Sequence, residues 1–179
     1  MKNVLIISTS LRTNGNSEIL AHETERGAKD AGHKVEFVSL KDKDIKFCKG
    51  CLACQKLGKC VIKDDANEIT EKMKNADVIV WATPVYYYEM SGQMKTMIDR
   101  ANSLFASGHR FREIYLITSA GDSTQGVVQT VLNGVNGWID CFNGVKFCGY
   151  IDGYGLEAPN DVKNRPELLK QAYDMGKNI

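Results

Sequence analysis

Four cysteines in the segment CKGCLACQKLGKC are the side chains best suited to chemistry in this sequence. Their spacing, Cys-x2-Cys-x2-Cys-x5-Cys, leaves loops so short that disulfides would gain little stability. Lysines and glycines outnumber large apolar residues between them, which disfavours core packing. Zinc sites usually separate two cysteine pairs by a longer loop, whereas a compact run is typical of 4Fe–4S ligation. The spacing therefore favours a cluster, with zinc or empty thiols left open, and its predicted ligands are Cys48, Cys51, Cys54 and Cys60.

The elements that must position these cysteines alternate between short apolar runs and longer amphipathic segments. Strands are predicted at Val4–Ser8, Val35–Leu40, Val78–Thr83, Glu113–Ser119 and Val145–Ile151. Helices are predicted at Asn16–Ala31, after Asp65, over Ser91–Gly108 with Phe105 on the buried face, along the stripe Val127–Ile139, and from Pro166. Such alternation predicts an α/β fold with a parallel sheet, whose ligands bind beyond the carboxyl ends of the strands. The cysteine-rich loop, residues 46–64, lies on that edge.

The loop after the first strand, STSLRTNGNS, lacks both GxGxxG and GxxxxGK[ST]. The dinucleotide fingerprint and the P-loop are therefore excluded. Hydroxyl groups, asparagines and Arg12 precede a helix N-terminus here, and free N–H groups and the helix dipole favour a phosphate. The loop is either a monophosphate site or an ordinary βα turn.

The loops after the third and fourth strands favour a planar ligand. TPVYYYEMSG places three tyrosines at a strand end, where exposed aromatic rings suit a flat partner. One of Tyr86, Tyr87 and Tyr88 is expected to pack into the core. The segment SAGDSTQG is small and polar, so its backbone can approach the edge of a heteroaromatic ring.

Length and net charge indicate how many domains to expect and which binding partners are disfavoured. The 179 residues are predicted to form one domain, and a net charge of +1 gives no reason to expect nucleic acid or an anionic membrane as partner. No stretch reaches the ~20 apolar residues of a membrane span, and a cytoplasmic protein with reduced thiols is expected. The histidines His22, His33 and His109 are interpreted as solvated, and Cys141 and Cys148 as small core residues.

Taken in order, the Ser/Arg/Asn loop, CxGCxxCxxxGxCxxxDD and TPxYYYxxSGxMKxxIDR resemble the NAD(P)H-dependent FMN reductase family, in particular its iron–sulfur flavoprotein branch. The resemblance covers about residues 1–150. It implies a flavodoxin-like three-layer sandwich with a five-stranded parallel sheet of order 2-1-3-4-5. Residues 1–179 would form a single FMN-binding domain, with FMN at the carboxyl edge.

The resemblance also assigns roles by position, with the chemistry carried by FMN rather than by a catalytic side chain. The residues that would hold the FMN phosphate are Ser10, Arg12, Asn16 and Ser17. Those that would line the isoalloxazine are Pro84, Val85, Tyr86 and Tyr87, with Ala120, Gly121 and Asp122 on its far side. Arg100 matches the family's DR pair, and a surface arginine paired with Asp99 or Asp77 is the alternative to a ligand role.

Three functions follow as hypotheses. The first is an FMN-dependent NAD(P)H oxidoreductase that passes electrons to flavins, quinones or similar acceptors. The second is an iron–sulfur flavoprotein that carries electrons between protein partners, although 22 acidic against 23 basic residues show no excess of the acidic charge that such carriers usually present for docking. The third is a zinc or redox-sensing module with an empty flavin pocket. The resemblance also implies a homodimer or higher homo-oligomer.

Overall fold

A central parallel sheet organises the chain, of which the computed structural model describes residues 1–179. Its strands are β1 (Asn3–Ser8), β2 (Lys34–Ser39), β3 (Val78–Tyr86), β5 (Glu113–Ser119) and β6 (Lys146–Gly153), and a short β4 (Glu89–Met90) pairs antiparallel with β3. The parallel strands follow the order β2-β1-β3-β5-β6. With β4 set aside, this is the predicted order 2-1-3-4-5, so the flavodoxin-like α/β fold is confirmed.

Helices cover both faces of the sheet. The elements are α1 (Asn16–Asp30), α2 (Ala53–Leu57), α3 (Ala66–Asn75), α4 (Gly92–Arg100), α5 (Ser103–Ser107), α6 (Gln129–Ile139), a 3-10 turn (Asp161–Asn164) and α7 (Pro166–Lys177). Side chains alternate along a strand, so Leu5 and Ile7 pack with α3, α4 and α6, while Val4 and Ile6 pack with α1 and α7. Because both faces of β1 and β3 are buried, their sequences are continuously apolar. None of the helices is long and apolar enough to span a bilayer.

The helix predicted over Ser91–Gly108 is interrupted at residues 101–102 and forms two helices. Ser91 caps α4 as expected and accepts a hydrogen bond from the Met94 amide, but α4 ends at Arg100 and α5 begins at Ser103. Phe105, expected on the buried face, is 60% exposed. The helix breaks where the Arg100 side chain turns toward the cysteine-rich loop, as described below.

The third loop is a β-hairpin rather than irregular chain. β3 continues beyond Thr83 to Tyr86, and Val85 and Tyr86 pair with Met90 and Glu89 of β4. The two residues of the turn, Tyr87 and Tyr88, have φ angles of +50° and +66°. A type I′ hairpin turn places both central residues in this left-handed conformation, which asparagine and glycine adopt at much lower cost than tyrosine.

The interpretation of Cys141 and Cys148 as core residues is also wrong, since both are exposed. β6 is the outermost strand on its side of the sheet, and every second residue from Lys146 to Tyr150 faces solvent. Cys141 lies just beyond the end of α6.

Candidate active site

The first loop leaves donors free at the N-terminus of α1. Gly15 occupies the N-cap position, and no side chain caps the helix. The hydroxyl groups of Ser8 and Ser17 are buried without a hydrogen-bond partner. A Cβ at Gly15 would lie closer to Ser10 Oγ than van der Waals contact allows, and 3.3 Å from the Arg12 carbonyl oxygen. Uncapped N–H groups beside orphaned hydroxyls and a close backbone turn fit a phosphate monoester.

The other two predicted phosphate residues contact the C-terminal part of the chain. Arg12 is exposed and donates from Nη1 to the Glu157 carbonyl at 2.7 Å. Asn16 is buried, donates from Nδ2 to the Ala158 carbonyl at 2.9 Å, and accepts from the Val162 amide at 3.1 Å. The structure thus places all four predicted residues on one turn, but the Asn16 amide group already holds the tail segment in place.

The third loop projects beyond the sheet. Pairing between β3 and β5 ends at Pro84, which is buried, and Val85 is half-buried. Tyr86, Tyr87 and Tyr88 are 48%, 99% and 59% exposed, so the expectation that one of them packs into the core is wrong. The hairpin carries them past the sheet, which leaves their rings free for a planar partner.

The fourth loop faces the hairpin across the edge of the sheet. Tyr88 OH lies 3.4 Å from Asp122 Oδ2, and Asp122 Oδ1 accepts from the Thr124 amide at 2.7 Å. The Thr124 hydrogen bonds, with a smaller contribution from Tyr88, lower the pKa of Asp122. Ala120 is fixed by a 2.8 Å bond from its amide to the Gly153 carbonyl. The neighbouring Gly121 is exposed.

A cleft of about 360 Å³ lies between the first loop, the end of β2, the start of the cysteine-rich loop and the N-terminus of α4. Leu11, Leu40 and Phe47 supply apolar walls, and Lys41 and Lys43 supply positive charge. The carboxyl edge therefore combines a turn with free N–H donors, exposed aromatic rings and a partly apolar cleft.

The cysteine-rich loop carries its thiols at different depths. Cys48 and Cys51 are exposed, Cys60 is half-buried, and Cys54 is buried on α2. No three His, Cys, Asp or Glu side chains are arranged to hold a metal ion. Asn102 donates from Nδ2 to Cys54 Sγ at 3.5 Å. The four-thiol donor set suits a cluster chemically, while its sulfur atoms are not assembled around one point.

Arg100 closes this loop at both ends. Only 2% of the residue is exposed. Nη1 donates to the Lys46 carbonyl at 2.7 Å, and Nη2 donates to the Ile62 carbonyl at 3.2 Å. The guanidinium also forms a two-pronged pair with the Asp64 carboxylate, through Nη1 to Oδ2 and through Nη2 to Oδ1 at 2.8 Å. Arg100 Nε is buried without a partner.

The alternative of a surface arginine is therefore wrong. Asp99 pairs with Lys95 at 2.7 Å, and Asp77 pairs with Arg110 at 2.6 Å. Arg100 instead binds a carboxylate 36 positions earlier in the chain, and both side chains are fully buried. Sequence reasoning missed Asp64 as this partner, although the last two residues of the cysteine motif, DD, include it.

The pKa values of this pair reflect its hydrogen bonds. Burial alone would raise the pKa of Asp64, but the bonds from Arg100 and from the Lys46 and Ala66 amides outweigh burial and lower it. The Asp64 bond raises the pKa of Arg100 against the cost of burial, and the nearby Cys60 thiol adds to the rise. Arg100 donates no hydrogen bond to Cys60, and its Nε has no partner.

The histidines lie away from this edge. His22 is exposed and stacks on Phe37 with ring centroids 4.2 Å apart. His33 and His109 precede β2 and β5, at the amino edge, and both are half-buried rather than solvated. Burial lowers the pKa of each. His109 packs on Phe111 at 4.3 Å.

Comparisons with known proteins agree with this geometry. An iron–sulfur flavoprotein of Methanocaldococcus jannaschii is 32% identical over 182 residues, which cover 98% of this chain and 94% of the relative. An iron–sulfur flavoprotein of Archaeoglobus fulgidus is 32% identical over 185 residues, covering 100% of this chain and 79% of the relative. The fold matches a solved NAD(P)H:quinone oxidoreductase from Methanothermobacter marburgensis with a TM-score of 0.77 at 19% identity, over 99% and 95% of the two chains.

The family model for NADPH-dependent FMN reductases matches residues 2–142. That span includes the uncapped first turn, the tyrosine hairpin, the fourth loop and all four clustered cysteines. Sequence, fold and the arrangement of the carboxyl edge thus agree, and the chain belongs to the NADPH-dependent FMN reductase family as a flavin-dependent oxidoreductase.

Proposed function

We propose that this protein is an FMN-dependent NAD(P)H oxidoreductase that passes electrons to flavins, quinones or similar small acceptors. The observation that carries the proposal is the uncapped N-terminus of α1 beside the unpartnered hydroxyl groups of Ser8 and Ser17. FMN, when bound, supplies hydride acceptance and onward electron transfer. The side chains of the chain bind the cofactor, orient it and leave room for a second planar molecule.

The proposed roles divide the edge into two parts. Ser10, Ser17 and the backbone N–H groups of α1 hold the phosphate, and Arg12 adds a positive charge from the exposed side. Asn16 supports the turn through its bonds to the tail. The residues proposed to contact the isoalloxazine are Pro84, Val85, Tyr86, Tyr87, Ala120, Gly121 and Asp122. Replacing Tyr86 or Tyr87 by alanine should therefore lower turnover more than replacing any histidine.

We also propose that Cys48, Cys51, Cys54 and Cys60 hold a 4Fe–4S cluster that exchanges electrons with the flavin. Two observations support it: the compact spacing of the cysteines, and the similarity of the chain to the two iron–sulfur flavoproteins described above. The exposed Cys48 and Cys51 would leave such a cluster accessible from solvent. This favours, as a second function, electron exchange with a protein partner.

Purification without oxygen, followed by an absorption spectrum and metal analysis, tests both proposals. About four iron atoms per chain and one releasable FMN are expected. A majority of FAD among the released flavin contradicts the phosphate assignment, and less than about one iron per chain contradicts the cluster. Stopped-flow reduction by NADH and NADPH, followed by oxidation with a quinone, tests the reaction. Flavin that neither nicotinamide reduces would leave the electron carrier as the better function.

A further inference from the structure

The break between α4 and α5 lies against the cysteine-rich loop. Arg100 is the last residue of α4, and Asn102 precedes the first residue of α5. Both side chains reach into the loop, one to its two ends and the other to a thiol near its middle. The helix that the sequence predicts to be continuous is therefore interrupted where two hydrogen-bond donors are directed at the same segment.

The guanidinium of Arg100 is hydrogen-bonded through its two terminal nitrogens, whereas its Nε has no partner. Its two terminal nitrogens are saturated by the Lys46 and Ile62 carbonyls and by Asp64, so the residue cannot turn without breaking these bonds. Nε keeps an unused N–H in a fully buried position. These bonds fix the two ends of the loop relative to each other, while the thiols between them lie at different depths.

Asn102 supplies a second donor. Its Nδ2 is 3.5 Å from the sulfur of Cys54, the one buried thiol of the four. A carboxamide N–H stabilises a thiolate more than a thiol, because the bond to a charged acceptor is the stronger one. Asn102 therefore acts on the sulfur in the form that binds metal.

We propose that Arg100 and Asn102 are positioning residues of the cysteine site: Arg100 holds both ends of the loop through the Lys46 and Ile62 carbonyls and the Asp64 carboxylate, and Asn102 donates to the Cys54 sulfur. This rests on the proposed metal-binding role of the four cysteines, not on which metal they hold. Outer hydrogen bonds of this kind orient ligands, and their loss typically costs 10–100-fold in metal affinity. Donors to thiolate sulfur also raise the reduction potential of a cluster.

Cd²⁺ titration tests the inference without requiring iron. FMN-loaded protein is freed of iron with a chelator under reducing conditions, and Cd²⁺ binding is followed by thiolate-to-metal charge-transfer absorption. Asn102→Leu and Arg100→Lys are each expected to weaken Cd²⁺ roughly 10–100-fold. The matched control is Arg110→Lys, since Arg110 also forms a two-pronged pair with an aspartate but on the exposed amino edge. Its Cd²⁺ affinity should equal that of the unaltered protein.

The readouts separate this inference from the cluster proposal. Unaltered protein that lacks iron but binds Cd²⁺ with the expected dependence on both residues refutes the cluster and supports the positioning roles. Equal Cd²⁺ affinity in all variants overturns the positioning roles, as does an unaltered protein that binds no Cd²⁺. Where iron is present at full occupancy, Asn102→Leu should shift the equilibrium of cluster reduction about tenfold toward the oxidised form, or about 59 mV. An unchanged potential overturns the role of Asn102 even if Arg100→Lys fails to fold.

Discussion

Ser17→Ala should change flavin affinity and stability in opposite directions. Ser17 Oγ is fully buried and has no partner within the chain, so the flavin-free protein loses nothing when it is removed. An unsatisfied buried hydroxyl costs about 1–3 kcal/mol of stability. The free energy of unfolding of the flavin-free alanine variant should therefore rise by part of that amount. If the hydroxyl donates to the FMN phosphate, its loss removes a charge-assisted bond worth about 1.5–3 kcal/mol. Affinity should then fall roughly tenfold to 150-fold.

Two measurements on the same variant check both signs. Calorimetric titration of flavin-free protein with FMN gives the change in affinity, and thermal unfolding without FMN gives the change in stability. A gain of 1 kcal/mol corresponds to about 2–4 °C in Tm for a chain of this size. Ser107→Ala is the matched control, because Ser107 Oγ is also buried without a partner but lies on α5. It should raise Tm and leave FMN affinity unchanged.

A second control separates the hydroxyl from its helix. Thr24 lies on α1 with Ser17, but its hydroxyl donates to the Leu20 carbonyl at 3.2 Å. Thr24→Ala should lower Tm without changing FMN affinity. The reasoning is refuted if Ser17→Ala lowers the stability of the flavin-free protein, or if it binds FMN as tightly as the unaltered chain.

Three further predictions follow from the same edge. Gly15→Ala should weaken FMN at least about tenfold in calorimetry, since the added Cβ displaces Ser10 Oγ from the turn; equal affinity would show that the turn tolerates a side chain. Tyr87→Asn should raise the free energy of unfolding by about 1 kcal/mol, because asparagine suits a φ of +50°, yet lower kcat/KM for quinone; unchanged turnover removes Tyr87 from the site. Asp64→Asn should lower the free energy of unfolding at neutral pH and make it less sensitive to acid. The lowered pKa of Asp64 means that its contribution is present above about pH 4 and is lost as pH falls through the folded-state pKa, so variant and unaltered protein should converge in denaturant titrations at low pH.

The fold could be predicted from sequence because its strands carry a strong local signal. β1 and β3 are buried on both faces, which requires uninterrupted apolar runs, and turn residues separate these runs from the helices. Strand order came from the family resemblance, since runs of residues do not encode adjacency. The hairpin was missed because Pro84 and three tyrosines are typical of a loop, whereas the strand continues through the proline.

The proximity of the proposed phosphate residues could be predicted for a different reason. Its hydroxyl groups and the helix start are consecutive in sequence, so proximity followed from the chain itself. The use of Asn16 was not predictable, because its partners Ala158 and Val162 lie 142 and 146 positions away. The burial of Arg100 was not predictable for the same reason, because its partner Asp64 lies 36 positions earlier in the chain.

The anchoring of the cysteine-rich loop bears on how a metal site could form in it. Bringing together the ends of a flexible loop of residues 46–64 costs roughly 2–3 kcal/mol of chain entropy, from the logarithmic dependence on length. In the folded protein the ends are already joined, by Arg100 through the Lys46 and Ile62 carbonyls and the Asp64 carboxylate, and by the Lys46 amide, which donates to Asp64 Oδ2 at 2.9 Å. Metal binding then has to order only the chain between these anchors, where Cys48, Cys51 and Cys60 still lie at the surface or half-buried. A loop held at its ends and open in its middle can therefore bind a metal after folding. The entropy cost of closing the loop has then been met during folding and does not reduce the free energy of metal binding.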